Sequence, residues 1–169
     1  SLHPENEYVL DLAIKAVDPI RDLLKNLDTI IWASCIPENE TVGNRESFEK
    51  SKDVKPLMDY PASRLQSHLD MPQAIVLGLV QQACTSMLGS IRVACGLLAT
   101  EIDFNNILCI TSDRFPLGAK YEQAYNLISD GAACCVVSRE QKGFRILASH
   151  HITNGSAVQA NDEAVSYTH

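Results

Sequence analysis

The sequence predicts a layered α/β domain built on a mixed sheet. Four apolar runs of strand length lie along the chain, and segments with helical periodicity separate several of them. Continuous apolar runs are typical of strands buried on both faces, which need helices on either side of the sheet. The chain has 169 residues, enough for one compact domain but not for two.

The elements follow from these patterns in order. Residues 7–17 carry the apolar stripe of an amphipathic helix, and Asp18-Pro19 should begin a second short helix after it. The predicted strands are 28–35, 74–80, 107–112 and 132–138. Between them the patterns indicate a polar stretch at 36–56, helices near 61–69 and at 85–99, and a helical turn near 120–127.

A hairpin is expected at the end of the last apolar run. The turn Gln141-Lys-Gly143 separates residues 132–138 from the strand-like run 144–150. A connection this short favours antiparallel pairing between the two segments it joins. The last two strands should therefore be antiparallel.

The net charge and the hydropathy of the chain argue against two classes of partner, nucleic acids and membranes. Lys and Arg number 14 and Asp and Glu 21, which gives a net charge of −7 and argues against a phosphate-binding surface and hence a nucleic-acid partner. No apolar run approaches the roughly 18 residues of a membrane span, and residue 1 onward lacks a signal-peptide pattern. We expect a cytoplasmic protein without a membrane partner.

The cysteine pattern indicates reduced thiols. No CxxC pair occurs and most of the cysteines lie inside apolar runs, which argues against a secreted disulfide framework and against a metal site. The six cysteines are Cys35, Cys84, Cys95, Cys109, Cys134 and Cys135.

Cys84 occupies the position best suited to a nucleophile. It lies where the predicted strand 74–80 leads directly into the long helix 85–99. A thiol there is near unpaired backbone N–H groups and the positive end of the helix dipole, which suits a reactive thiolate. A buried structural cysteine is the alternative interpretation of this position alone.

Five motifs together resemble the thiolase-fold condensing enzymes, most closely the β-ketoacyl-acyl carrier protein synthase III family. Each is short, but they occur in the family's order over about residues 27–156. They are Asp28-Thr-Ile-Ile-Trp-Ala-Ser34, Tyr60-Pro61 with Gln66 and Leu69, Ala83-Cys84, Thr111-Ser112-Asp113, and Ser129-Asp130-Gly131-Ala132.

The resemblance implies a fold and a reaction. The fold is a thiolase-like α/β/α arrangement with a mixed five-stranded sheet. The reaction is a decarboxylative Claisen condensation of an acyl thioester with malonyl-carrier protein, in fatty acid or polyketide biosynthesis. Cys84 would hold the acyl group and its N–H would stabilise the oxyanion, while Tyr60, Thr85 and Ser86 would contact substrate. Acyl-CoA, acyl carrier protein and a second copy of the chain are the implied partners, with no cofactor.

The sequence also departs from the family pattern. Ser86 stands where the family usually has glycine, and no His and Asn for the decarboxylation step can be identified. The family's first strand, central in its sheet, would precede residue 1 and leave a gap. We therefore expect 1–164 to be an N-terminal half truncated at both ends, inactive in turnover alone. Residues 165–169 match the translation of a sequencing-adapter end.

Other functions remain open at this point. Another thiolase-fold enzyme, such as a hydroxymethylglutaryl-CoA synthase or a ketosynthase of specialised metabolism, would share the Cys84 junction. A non-catalytic partner subunit of a heterodimeric ketosynthase would keep the fold without being acylated. A plain cysteine-rich structural domain is the third alternative, and the five ordered motifs argue against it.

Overall fold

The computed structural model describes residues 8–35, 45–55, 58, 60–115, 121–122, 126–127, 129–140 and 142–155. Residues 165–169, for which an adapter origin is predicted, lie outside these ranges. The helices are α1 (Val9–Val17), α2 (Arg45–Ser51), α3 (Pro61–His68) and α4 (Ser86–Thr100), with 3-10 helices at Asp18–Leu23 and Ala83–Thr85. The strands are β1 (Thr29–Ala33), β2 (Ile75–Leu79), β3 (Asn106–Asp113), β4 (Tyr121–Glu122), β5 (Asn126–Leu127) and β6 (Gly131–Ser138).

The main sheet contains four strands in the order β2-β1-β3-β6. β1 runs parallel to both neighbours, and β6 runs antiparallel to β3 from Asn106 opposite Ser138 to Asp113 opposite Gly131. The mixed α/β sheet predicted from the apolar runs is confirmed. The expected gap is absent, because β1 and β3 pair directly along the whole of β1 and so satisfy each other's backbone groups.

Helices cover both faces of this sheet. Because side chains alternate along a strand, Ile30 and Trp32 of β1 pack towards α1 and α3, while Ile31 packs towards α4. β1 is buried throughout, as predicted for a strand covered on both faces. β2 and β6 lie at the two edges of the sheet and neither contains a fully buried residue, so the same prediction is wrong for both.

Two local predictions are wrong. The run 144–150 forms no strand beside β6, although β6 is the edge strand of the sheet. Its apolar side chains Phe144 and Leu147 are exposed, so no burial of apolar surface stabilises the expected pairing. The turn expected to be helical near 120–127 contains the short strands β4 and β5, paired antiparallel. In both places a local pattern was assigned without knowledge of the tertiary partner.

The expectation that no segment is long and apolar enough to span a membrane is wrong for residues 83–100. By length and composition alone, this stretch of 18 residues is apolar enough to cross a membrane. A core helix of a soluble fold passes the same test. The side chains of Ala94 and Leu98 pack against the sheet, whereas Leu88 on another side of the helix is exposed.

Several motif residues hold the elements together. The Asp28 carboxylate accepts the N–H groups of Asn105 (2.6 Å) and Asn106 (2.8 Å), which joins the start of β1 to the start of β3. The Gln66 side-chain amide donates to the carbonyls of Met71 (3.1 Å) and Ala74 (2.8 Å), which fixes the connection from α3 to β2. These residues therefore act in folding rather than in chemistry.

Thr29 provides a stability test. Its hydroxyl is buried and has no hydrogen-bond partner among the residues that the structure describes. Burying a polar group without a partner costs free energy, so Thr29→Val should raise the free energy of unfolding by about 1 kcal/mol in urea denaturation. Thr29→Ser, which keeps the hydroxyl and loses the methyl group, should be no more stable than the native chain. A destabilised valine variant would contradict this account.

Candidate active site

The carboxyl ends of the parallel strands gather the polar residues of the candidate site at one edge of the sheet. β1, β2 and β3 end there at Ala33, Leu79 and Asp113, and antiparallel β6 begins there at Gly131. This edge is where ligands bind in open α/β sheets. The motif segments that follow β1 and β2 and that precede β6 thus converge, although they are far apart in sequence.

Cys84 lies in the 3-10 helix Ala83–Thr85 between β2 and α4, and it is exposed. Ala83 has a φ of 44°, a left-handed conformation that residues other than glycine adopt rarely and at some cost. The turn is held by the Thr85 N–H and Thr85 hydroxyl, which both donate to the Gln82 carbonyl at 3.0 Å and 2.7 Å. The predicted junction is confirmed as a sharp turn that presents the thiol to solvent.

The backbone N–H of Cys84 lies outside the hydrogen bonding of this turn. The bonds that define the 3-10 helix begin with the N–H of Thr85, followed by that of Ser86 donating to the Ala83 carbonyl. An N–H in the first turn of a helix has no acceptor within the helix. It is therefore placed to donate a hydrogen bond to an anionic oxygen.

Asp113 organises the end of β1 beside Cys84. Its carboxylate accepts the Ser34 hydroxyl at 2.6 Å and the Cys35 N–H at 3.1 Å to each oxygen. The Thr111 hydroxyl is a further donor at 3.5 Å. Asp113 therefore positions the loop after β1, which agrees with its place at the carboxyl end of β3.

Asp130 holds the segment that follows β3. Its carboxylate accepts the Phe115 N–H at 2.9 Å and lies 4.0 Å from the Arg114 guanidinium, with both side chains of the ion pair buried. These contacts tie the segment after β3 to the start of β6. Asp113 and Asp130 thus both hold segments that flank the site.

The three predicted substrate residues differ in placement. Tyr60 immediately precedes α3 with 63% of its surface exposed, and Thr85 is exposed beside Cys84. Ser86 is 2% exposed, and its hydroxyl contacts the carbonyls of Ala83 (2.7 Å) and Ser34 (3.2 Å). This corrects the expectation for the Ser86 side chain, which joins the start of α4 to the end of β1 instead of facing a substrate.

The structure adds Cys35 to the site. Its sulfur lies 3.7 Å from the sulfur of Cys84. The sequence contained a usable signal, because Cys35 is the last residue of one predicted strand, Cys84 follows the next, and parallel strands end at the same edge. Among the residues that the structure describes, no group of three His, Cys, Asp or Glu side chains could hold a metal ion.

The other thiols are in different surroundings. Cys109 and Cys135 lie directly opposite each other on β3 and β6. Hydrogen bonding with Cys135, together with burial, raises the pKa of the Cys109 thiol. Burial also raises the pKa of Cys134, to about 11, and its thiol donates to the Ala16 carbonyl at 3.1 Å. Cys109 and Cys134 are therefore unreactive thiols at neutral pH.

The Cys134 shift predicts a change of stability in alkaline solution. The unfolded chain releases the Cys134 proton near pH 9.0, whereas the folded chain retains it up to about pH 11. Stability contributed by the neutral thiol is thus present below pH 9.0 and is lost as the pH rises through about 11. The stability difference between the native chain and Cys134→Ala should shrink over that range. A pH-independent difference in denaturant titrations would contradict the assignment.

Comparison with known proteins agrees with this geometry. Residues 80–155, which include the Cys84 turn, α4, β3 and β6, match the family model of 3-oxoacyl-(acyl carrier protein) synthase III. A search of the curated proteins finds no match. Thirty-nine solved chains match significantly.

Three of these solved structures illustrate the likeness. A 3-oxoacyl-(acyl carrier protein) synthase III has TM-score 0.60 and 20% identity over 83% of this chain and 38% of its own. The Aquifex aeolicus enzyme of that name has TM-score 0.59 and 18% identity over 82% of this chain and 41% of its own. The third is the HMG synthase of the curacin biosynthetic pathway, in complex with acetyl donor carrier protein. It has TM-score 0.53 and 22% identity over 78% of this chain and 30% of its own.

The likeness covers most of this chain but only part of its relatives. The chain spans about two fifths of the length of the synthase III structures that it matches. The chain thus has the thiolase-like fold of the condensing enzymes and matches the 3-oxoacyl-(acyl carrier protein) synthase III family over residues 80–155, which confirms the resemblance stated from the five motifs.

Proposed function

We propose that Cys84 is the acyl-accepting nucleophile of a decarboxylative condensing enzyme of the synthase III type. The observation that carries this proposal is the exposed Cys84 thiol in a strained turn between β2 and α4, inside the segment that matches the family. A nucleophile needs access to its substrate and fixed donors near the reacting carbonyl. The turn supplies both, through the exposed side chain and the Cys84 N–H, which has no acceptor within the turn.

In the first step the Cys84 thiolate attacks the carbonyl carbon of an acyl thioester. The carbonyl oxygen gains negative charge, which the Cys84 N–H stabilises, and the intermediate then expels the thiolate of coenzyme A. The acyl group remains on Cys84 as a new thioester. This exchange needs no cofactor, since one thioester replaces another.

In the second step malonyl-carrier protein loses carbon dioxide, and the electrons of the broken carbon–carbon bond form a carbanion. That carbanion attacks the Cys84 thioester, a new carbon–carbon bond forms, and the Cys84 thiolate leaves. Carrier protein as a partner is supported by the curacin-pathway structure, which holds its acetyl donor on a carrier protein. We also propose a homodimer in the cytoplasm, with exposed Tyr60 available to substrate.

An HMG synthase-type reaction is the second candidate, since the likeness to the curacin-pathway enzyme favours it. It would share the acyl-Cys84 step but use an acetoacetyl thioester in place of malonyl-carrier protein. A non-catalytic partner subunit would form no acyl-Cys84 at all. The acceptor used after acylation therefore separates the two enzymes, and acylation itself separates both from the partner subunit.

The experiment starts from reduced protein incubated with acetyl-CoA and analysed by intact mass spectrometry. We expect one acetyl group per chain, removed by neutral hydroxylamine as a thioester should be. The acetylated protein is then given malonyl-carrier protein or acetoacetyl-carrier protein. Loss of the acetyl group with the malonyl donor would support the synthase III reaction and would contradict the expectation that residues 1–164 are inactive in turnover alone, whereas loss with the acetoacetyl donor would support the HMG synthase reaction. Absence of any hydroxylamine-labile adduct would overturn the proposed role of Cys84.

A further inference from the structure

We propose that Cys35 and Cys84 form a reversible oxidation site, in which a disulfide between them caps the nucleophile. Their sulfur atoms lie 3.7 Å apart, although 49 positions separate the two residues in sequence. A disulfide bond requires about 2.0 Å between the sulfurs, so they must approach by under 2 Å. A rotation of the exposed Cys84 side chain can supply much of that movement.

The backbone on both sides of the thiol pair is already fixed. The Ser86 hydroxyl contacts the Ser34 carbonyl at 3.2 Å and the Ala83 carbonyl at 2.7 Å, so it joins the two cysteine-bearing loops. The Ser34 N–H donates to the Leu79 carbonyl at 3.1 Å, which extends the β1–β2 pairing up to the site. Because the loops are tied together, forming the disulfide costs little additional backbone order.

Exposure gives the two thiols different roles. Cys84 is exposed and can meet an oxidant from solution, whereas Cys35 is half-buried beneath it, with its N–H held by Asp113. The exposed thiol would be oxidised first and the second would resolve it, an arrangement found in redox-sensitive thiol pairs. The Cys109–Cys135 pair is a contrast within the same chain, because Cys109 is completely buried.

The proposed oxidant is a hydroperoxide such as hydrogen peroxide. The Cys84 thiol loses its proton, its thiolate attacks one peroxide oxygen, and the oxygen–oxygen bond breaks. A sulfenic acid forms, and the hydroxide that leaves takes up the thiol proton as water; the Cys35 thiol proton is used in the same way in the next step. The Cys35 thiolate then attacks the Cys84 sulfur, the disulfide forms, and a second water leaves. Two electrons pass from the thiols to the peroxide, and a dithiol reductant returns them.

The disulfide would protect Cys84 from irreversible oxidation and would stop acyl transfer for as long as it persists. The second consequence rests on the proposed function, whereas the disulfide itself does not. Oxidised protein should therefore lose acylation in proportion to the linked fraction, and a dithiol reductant should restore it.

The test treats the reduced full chain with two equivalents of hydrogen peroxide, the second of which can oxidise the sulfenic acid to the sulfinic acid where no disulfide forms. Remaining thiols are blocked with N-ethylmaleimide and the unreduced peptides are mapped by mass spectrometry. We expect a linked peptide pair containing Cys35 and Cys84, lost after reduction. Cys35→Ser should give no linked pair and should accumulate the sulfinic acid at Cys84. Cys95→Ser, which removes a half-buried thiol elsewhere on α4, should link as the native chain does.

The proposal would be overturned if the native chain carried N-ethylmaleimide on Cys35 and a sulfinic acid on Cys84. It would also be overturned if the disulfides that form joined other cysteines. Mapping of the native chain decides the question even where Cys35→Ser fails to fold. No acyl donor is present, so a negative result leaves the proposed function untouched. Conversely, a chain that links but is never acylated would refute the proposed function alone.

Discussion

Cys84→Ser should slow acyl-protein formation by at least about 10³-fold, because a serine hydroxyl is a far weaker nucleophile than a thiolate at neutral pH. The exposed position of Cys84 means that this substitution removes little packing. The rate is followed by intact mass during incubation with acetyl-CoA, and circular dichroism checks the fold.

Cys95→Ser is the matched control for this experiment. It makes the same chemical change at a half-buried thiol on α4. We expect its acylation rate to equal that of the native chain. A Cys84→Ser variant that is acylated as fast as this control would place the reactive group elsewhere.

We expect Asp113→Ala to lower the free energy of unfolding by about 3 kcal/mol. The variant leaves the Ser34 hydroxyl and the Cys35 N–H without their acceptor in a partly buried site. Hydrogen bonds to a charged group contribute about 1.5 to 3 kcal/mol each, and partial exposure reduces their sum. Urea denaturation measures the loss.

Asp103→Ala removes an exposed carboxylate and serves as the control, with a change within about 0.5 kcal/mol. Asp113→Asn keeps the shape of the side chain but only one acceptor oxygen, so its stability should fall between the native chain and the alanine variant. Equal stability of Asp113→Ala and Asp103→Ala would show that Asp113 does not hold the end of β1.

The strands and helices of the main sheet could be predicted because their signals are local. The run at β1 is apolar at four of its five positions, as a strand buried on both faces usually is, and the apolar spacing of α4 follows the helical period. Residues 144–150 have an equally strand-like composition but form no strand. Whether such a run forms a strand depends on a surface that its apolar side chains can pack against, and Phe144 and Leu147 are exposed in the described part of the chain.

Site residues could be predicted only where a single stretch of sequence fixes their position. Cys84 could be located because β2, the turn and α4 are contiguous in sequence. The role of Ser86 could not, since its hydroxyl contacts the carbonyl of Ser34, 52 positions away. The positions of Cys35 and Asp113 at strand ends indicated that both lie at one edge of the sheet. Their contact with each other depends on the order of the strands, which the local patterns do not contain.

The most direct test of the central claim is to locate the acyl group after incubation with acetyl-CoA. The protein is digested under conditions that preserve thioesters, and the peptides are sequenced by mass spectrometry. We predict the acetyl group on the peptide containing Cys84, with the peptides of Cys35, Cys95, Cys109, Cys134 and Cys135 unmodified. Acetylation of a different cysteine, or of none, would contradict the assignment of Cys84 as the nucleophile.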